Sequence, residues 1–596
     1  MAAPEEQEQH GTAAEKPGRA PDDTPAPPSG PKNLGEDQQS LQAVDRARTD
    51  APPERGSPDL ESAGVGSTNR RHDSNAGRVS VAGRDPTPYS IFSGKEKGLI
   101  VLIVSAAGFF SSVSTNIYFP ALNSIAQEYR VSSTLVNLTI TVYLIFQGLA
   151  PSFTGSLSDS VGRRPVYAVC FAIYIAANVG LALQRRFAAL VVLRCLQSSG
   201  SSGTVALGNA VVSDVAGPHE RGSYIGYVSL GAVVGLSLGS TLGGVLAQFL
   251  GWRSIFWFLT ISAAAVVVLI ALFMPETARV VVGDGSLAPP RWDRSLWDLL
   301  PSTKKRRRDT EPAAAPGEEG GTQSPRGPAA GHRRRRQFVN PFMTLRICAD
   351  KEAGMVLLVS GIVYAGYTAL VGAIPSQFEA RYGFNDLELG LCYLPIGVSA
   401  ALSSLVVGRA LDWNFARHAR LLGLSVEQVR QQQQQQQAAG GGGGGGTNSG
   451  FAVERVRCEV AFPTLALFCA GTAAYGWLLS CRTSVAGPMV TLFVLGFGVN
   501  GCYTILSVLL IDVYPRAPAT ATAANNLVRC WLGAGAAAAI VPMIDSMGPG
   551  WAFTLIALLD LLTVPLLWVV MRWGPKWRAE RIVAEKASEA NSQEEK

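Results

Sequence analysis

Ionisable and amide side chains are sparse in the apolar stretches of this 596-residue chain, so the few found there are the first candidates for chemistry. Arg194 is followed by Gln197 and Ser201 at i+3 and i+7, one face of a helix. Arg529 shares a face with Asn525, and Asp560 falls near the middle of its apolar run. Between two other runs lies a charged turn, Gly155-Ser-Leu-Ser-Asp159-Ser-Val-Gly162-Arg163-Arg164-Pro165, whose front end recurs as Gly408-Arg-Ala-Leu-Asp412. Ionisable groups at membrane depth are expensive and mark substrate or ion pathways. The chemistry they offer is binding and proton movement, with the charged turn acting as a gate. No nucleophile–base pair, metal-ligand spacing or phosphate loop occurs, so no enzyme activity, cofactor or metal is expected. The nine scattered cysteines imply no disulfide framework. The five histidines all fall in tails or loops, which rules out a histidine proton relay inside the membrane.

The elements that must position these residues are membrane spans. Apolar side chains make up 47% of the chain but concentrate in about twelve runs of roughly 20 residues, the length a helix needs to cross a bilayer. The runs lie near 98–119, 134–156, 166–183, 188–212, 223–248, 254–274, 354–375, 388–411, 460–480, 486–511, 520–543 and 551–571. Polar and aromatic residues on five of them can line a central cavity: Asn116, Tyr118, Tyr143, Gln147, Tyr364, Tyr367, Tyr393, Asn500 and Tyr503. Gly231, Gly235, Gly239 and Gly243 fall at intervals of four in the fifth run, a groove for close helix packing, with Gly244 beside it.

Residues 1–94, poor in aromatics and rich in Pro, Gly, Asp and Glu, read as a disordered tail. The segment 280–345 reads as a disordered basic loop, carrying Lys304–Arg308 and Arg333–Arg336, and about 418–450 as a flexible insertion with glutamine and glycine tracts. The bundles are then 95–279 and 346–578, followed by a tail over 579–596. The basic clusters read as loop retention and contact with anionic lipid rather than nucleic-acid binding. Lys and Arg near span ends favour one side by about two to one, which puts both termini in the cytoplasm. Matched pairs reveal a repeat: Gly155 and Gly408 lie 253 residues apart, Asp214 and Asp512 298, and Gly251 and Gly550 299. Six spans plus six, with the Gln/Gly insertion in the second half, explain all three offsets.

The charged turn Gly155-x-Leu157-x-Asp159-x-x-Gly162-Arg163-Arg164 resembles the loop 2–3 signature of the major facilitator superfamily. Arg194-x-x-Gln197-x-x-Gly200 resembles its buried-arginine motif, and Gly239-Ser-Thr-Leu-Gly243-Gly244 the antiporter motif, with Ser240 where that motif has proline. Asn116-Ile-Tyr-Phe-Pro120, Pro275-Glu-Thr-Ala-Arg279 and Asn525-Asn526-Leu-Val-Arg529-Cys530 resemble the fungal twelve-span drug:proton antiporters, especially their quinidine-resistance branch. The resemblance covers about 95–578. It implies an all-α major facilitator fold, twelve transmembrane helices in two pseudo-symmetric six-helix bundles, and alternating access to a central site. It implies that Asp159 closes against the second half while an arginine links it to Asp214. It implies export of drugs or related metabolites against protons by a monomer in the plasma membrane, with the vacuolar membrane as the alternative. The first span lacks the carboxylate that many such antiporters carry, which leaves Asp560 or the Asp159/Asp214 network to carry the proton. A carrier of a polyamine, weak acid or siderophore is the alternative within transport, and a transport-dead membrane sensor the alternative outside it.

Overall fold

The computed structural model describes residues 90–287, 289–290, 293–296, 342–423, 425, 428, 452–514 and 518–594, and all regular structure among them is helical. The expected tail as far as 89, the basic loop over 297–341 and most of the Gln/Gly insertion lie outside the described residues. The N-terminal half comprises α1 Gly94–Asn116, α2 Leu122–Tyr129, α3 Ser133–Val161, α4 Arg163–Leu183, α5 Phe187–Val215, α6 Pro218–Leu250, α7 Arg253–Phe273 and the short α8 Arg279–Val282. The second half comprises α9 Phe342–Cys348, α10 Lys351–Tyr382, α11 Asp386–Leu391, α12 Leu394–Leu421, α13 Val453–Ser480, α14 Ala486–Val513, α15 Pro518–Leu561 and α16 Thr563–Glu594.

Local signals set these boundaries. Ser93 and Glu96 form a capping box that starts α1, Asn385 and Glu388 another that starts α11, and the Asp350 carboxylate accepts the first N–H groups of α10. Helices that reverse through the membrane with almost no loop need a residue free to take positive φ. Gly162 (φ 124°) does this between α3 and α4, and Gly251 (φ 78°) between α6 and α7. Gly548 (φ 76°) breaks α15 into two helices. Nine described segments are long and apolar enough to cross a membrane. Dividing the last at Gly548 and adding α5 and α6 completes two sets of six. Each half touches the other through its second and fifth spans: α3 packs on the first part of α15, and α6 on α11 and α12.

Two expected boundaries move. The loop expected to be disordered from 280 begins as ordered chain: the Ile91 N–H donates to the Asp284 carbonyl, and Asp293 packs against α4. The C-terminal tail continues the last span, because α16 runs unbroken from the membrane to Glu594.

Candidate functional site

Two arginines, on the fourth span of the first half and the fifth span of the second, have similar settings: each is clamped by aromatic rings and amides, with no acid paired to it among the described residues. On α5, Arg194 is 1% exposed, its guanidinium carbon 4.1 Å from the Tyr118 ring centre and 4.2 Å from that of Tyr143. Its Nη1 donates to Gln197 Oε1 at 2.6 Å, and Gln197 Nε2 donates in turn to Asn178 Oδ1 at 2.8 Å. On α15, the Arg529 guanidinium lies 4.5 Å from the Tyr364 ring centre and 5.0 Å from that of Tyr503, and its Nη2 donates to Asn526 Oδ1 at 2.7 Å. Both arginines have a buried Nε–H with no acceptor. The difference between them is access: Arg194 is sealed in, whereas Arg529 is half-buried. A planar cation with unused donors, stacked on rings and free of a carboxylate, is fitted to receive an anion. The two are joined across the halves, since Tyr143 and Gln147 lie one turn apart on α3 and the Gln147 carbonyl accepts from Asn526 Nδ2 at 2.8 Å.

The other expected lining residues divide between the Arg529 cluster and the scaffold. Tyr367 packs beside Tyr364 with ring centres 6.0 Å apart and planes tilted by 45°. Asn525 accepts from Ser360 Oγ at 2.9 Å and so fixes α15 to α10. Asn116 donates to the Ser112 carbonyl within α1, and Asn500 ties α14 to the Ala400 carbonyl and Ser404 hydroxyl of α12. These two asparagines hold helices rather than a ligand. Tyr393 donates to the Val371 carbonyl and stacks with Phe119 across the two halves, so it belongs to a seal.

That seal closes the end of the molecule that carries Trp252. There Asn123 Nδ2 donates to the Pro375 carbonyl at 2.9 Å, Ser124 to Asp386 at 2.5 Å, and Gln127 to Glu379 at 3.1 Å. The glycines of α6 explain its tightness. Cβ atoms added at Gly231 and Gly235 would meet the carbonyls of Ser105 and Phe109 at 2.8 and 2.7 Å, and Gly239 and Gly243 meet Val113 and Ile117 as closely packed on α1. Gly244 faces the other half, where a Cβ would come 2.5 Å from the Asp386 carbonyl and 2.9 Å from Gly390. Ser240, in place of a proline, leaves α6 helical and donates to the Asn116 carbonyl at 3.2 Å.

At the opposite end the charged turn gathers as expected but binds one half to itself. Arg163 donates from Nη1 to Asp159 at 2.6 Å and from Nε to Asp214 at 2.9 Å. Arg164 turns away, to Asp293 at 3.0 Å and the Ala271 carbonyl at 2.7 Å. Asp159 keeps a side chain 46% exposed, and Gly155 and Gly408 have open space where a Cβ would stand. Asp412 is exposed. The expected closure of Asp159 onto the second half is replaced here by a link within α3, α4 and α5; among the described residues α3 meets α15 as far along as Gln147 and Gly148, short of Asp159.

Four acids missed in the sequence complete these clusters. Glu276 accepts the backbone N–H groups of Arg163 and Arg164, and of Thr277 and Ala278, at 2.7–3.1 Å. Burial and the neighbouring Glu276 carboxylate push Asp293 up to about 7, against the opposing pull of Arg164. In the second half Arg457 on α13 pairs with Asp512 on α14 at 3.1 Å, the twin of Arg163 with Asp214. Glu352 and Glu454, both buried, converge on Arg578 and Arg581 of α16. Arg581 also reaches Asp350 at 3.3 Å and the Val513 carbonyl at 2.9 Å. An acid at the start of an apolar span reads first as a helix-dipole partner, so only the fold reveals the tail arginines as its counter-ions.

The sequence profile of the Major Facilitator Superfamily matches residues 104–426. The chain is 44% identical to the MFS-type transporter phiD of a fungal species (strain ATCC 74256), over 84% of this chain and 72% of that one. It is 34% identical to Citrate exporter 1 of Aspergillus niger, over 86% of this chain and 94% of that one. Among solved structures, the xylose transporter XylE of E. coli superposes with a TM-score of 0.54 at 12% identity, covering 80% of this chain and 97% of that one, which speaks to the fold alone.

Proposed function

The chain belongs to the major facilitator superfamily, and from that premise we propose that it carries a small carboxylate-bearing metabolite across a fungal membrane, with Arg529 as the anchor for the anion. One observation carries this reading: Arg529 is half-buried rather than sealed, lies over the rings of Tyr364 and Tyr503, and pairs with no acid among the described residues. A permanently charged guanidinium that nothing nearby neutralises gains most from an anionic guest. The citrate exporter among the relatives supports the same chemistry. Among the drugs and metabolites that the drug:proton antiporter resemblance suggests, this arrangement favours acidic compounds and repels cationic ones such as quinidine. Arg194, with the same ring clamp but sealed, sets the field of the N-terminal half and holds Tyr143 in place for the neighbouring Gln147. Export is the direction that fits the relatives' names, and the count of basic flanks in the sequence favours a cytoplasmic Arg163 end and an external Trp252 end. The plasma membrane is the natural site for such an exporter.

The test is metabolite release. In a deletion strain, restoring the wild-type chain should raise excretion of small carboxylates several-fold over the same strain carrying Arg529→Gln. Equal excretion from the two strains, or a phenotype confined to cationic drugs, overturns the reading.

A further inference from the structure

Asp560 stands apart from every cluster described above. It is 1% exposed, and neither carboxylate oxygen has a hydrogen-bond partner. Trp551, nine residues earlier, is exposed and packs edge-to-face on Trp477 at the sealed end, which puts Asp560 about 14 Å along the helix and near mid-membrane. The groups facing it are apolar or neutral: Gly366 of α10, Ile556 of its own helix, and the thiols Cys469 of α13 and Cys502 of α14. Among the described residues no basic side chain is near enough to pair with it. A lone carboxylate in this setting is carried as the neutral acid, since an unpaired buried charge is far costlier than a proton held. The backbone beside it is also irregular. Pro565 cannot donate to the Leu561 carbonyl, the helix breaks at Leu562, and the Thr563 hydroxyl donates back to the Asp560 carbonyl at 2.6 Å.

Its placement relative to Arg529 is the second observation. Both groups lean on α10. Gly361, Tyr364 and Thr368 face the part of α15 that carries Arg529, through Leu532, the Arg529 guanidinium and Gly533 respectively. Gly366 faces Asp560, with Oδ2 only 2.6 Å from where a Cβ would be. Two residues along a helix turn it by about 200°, so Tyr364 and Gly366 lie on opposite sides. One span thus separates a half-buried cation from a fully buried acid.

We propose that Asp560 is a proton-binding site linked through α10 to the anion site at Arg529. The inference rests on the anion reading above. An ionised Asp560 would draw on the field of Arg529 and weaken its hold on an anion, so proton and anion bind cooperatively, and the linkage is reciprocal. The step is proton transfer alone: a proton from water enters the carboxylate and returns to water, with no bond to the anion made or broken.

The test uses the purified full chain in proteoliposomes with radiolabelled citrate as probe. Wild-type flux should respond to an imposed pH gradient. Asp560→Asn, of the same shape, should keep citrate binding within about 3-fold yet lose about 10-fold or more of the gradient response. Asp560→Glu should recover part of it. The gap between wild type and variant cancels the titration of citrate itself. A gradient response in Asp560→Asn equal to wild type overturns the proposal while leaving the anion site standing. If wild-type vesicles move no citrate, the anion reading fails, and the proton site is read separately by infrared spectroscopy. A protonated-carboxyl band at neutral pH that disappears in Asp560→Asn upholds the proton site. A spectrum that the substitution leaves unchanged overturns it.

Discussion

In the N-terminal half the acid follows the last span: Glu276, just past α7, takes the N–H groups that begin α4. In the C-terminal half the base follows the last span: Arg578 and Arg581 on α16 reach Glu454 at the start of α13 and Glu352 at the start of α10. The repeat keeps the geometry and inverts the charge. One reason is visible after Asp412, where α12 continues through Trp413-Asn414 and the sequence carries no arginine pair like Arg163-Arg164. Asp512 takes its arginine from α13, as Asp214 does from α4. The acids at the starts of α10 and α13 must find theirs elsewhere, and the tail provides it. The first half is thus closed by its own turns and post-span loop, whereas the second depends on residues that look, in the sequence, like a dispensable terminus.

The largest effect should come from cutting that dependence. Termination after Trp577 strips two buried acids of their counter-ions, and breaking a buried pair costs about 3–5 kcal/mol. The thermal midpoint of the purified protein should fall by many degrees, and Arg578→Ala with Arg581→Ala should reproduce most of the fall. A truncated protein as stable as the full chain would break the comparison.

Arg163→Ala in the other half should cost less, about 2 kcal/mol. Asp159 is half-exposed and can be solvated, and Glu276 still ties the start of α4 to the end of α7. A loss larger than that of the tail variant would reverse the ranking of the halves.

A pH effect should follow from Asp293. Its folded value, pushed up to about 7 by burial and by Glu276, lies above its ordinary 3.8. The folded state therefore binds more protons than the unfolded state between these values. The contribution is fully present below about pH 4 and is lost as pH rises toward 7. The thermal midpoint from about pH 5 to pH 8 should decline less steeply in Asp293→Asn than in wild type. Identical slopes would remove Asp293 as the source.

Asp412→Asn should sit at the small end, within about 0.5 kcal/mol, because the side chain is exposed. A large loss of stability would mean that the second half also relies on its own turn.

How much of this was legible in the sequence follows the physics of each feature. The spans were readable because hydrocarbon thickness fixes their length, and the halves because Asp214 and Asp512 recur at a fixed offset. Arg194 and Gln197 were readable because i+3 spacing fixes their contact. The tail clamp was not, because 124 residues separate Arg578 from Glu454 and neither carries a periodic signal. The role of Tyr393 was missed for a related reason: a tyrosine on a span face has the same pattern whether it lines a cavity or stacks on Phe119 of the other half. The arginine cages lay between these cases. Each charge was visible, but the absence of any acid beside it emerged only from the packed helices.

The central claim is that an anion rests on Arg529 and not on the sealed Arg194. Citrate affinity of the purified full chain, measured for wild type, Arg529→Gln and Arg194→Gln alongside their thermal midpoints, tests it most directly. Arg529→Gln should bind about 10- to 100-fold more weakly with its midpoint nearly unchanged, and Arg194→Gln should lose stability first. Citrate binding by Arg529→Gln within about 2-fold of wild type would contradict the account.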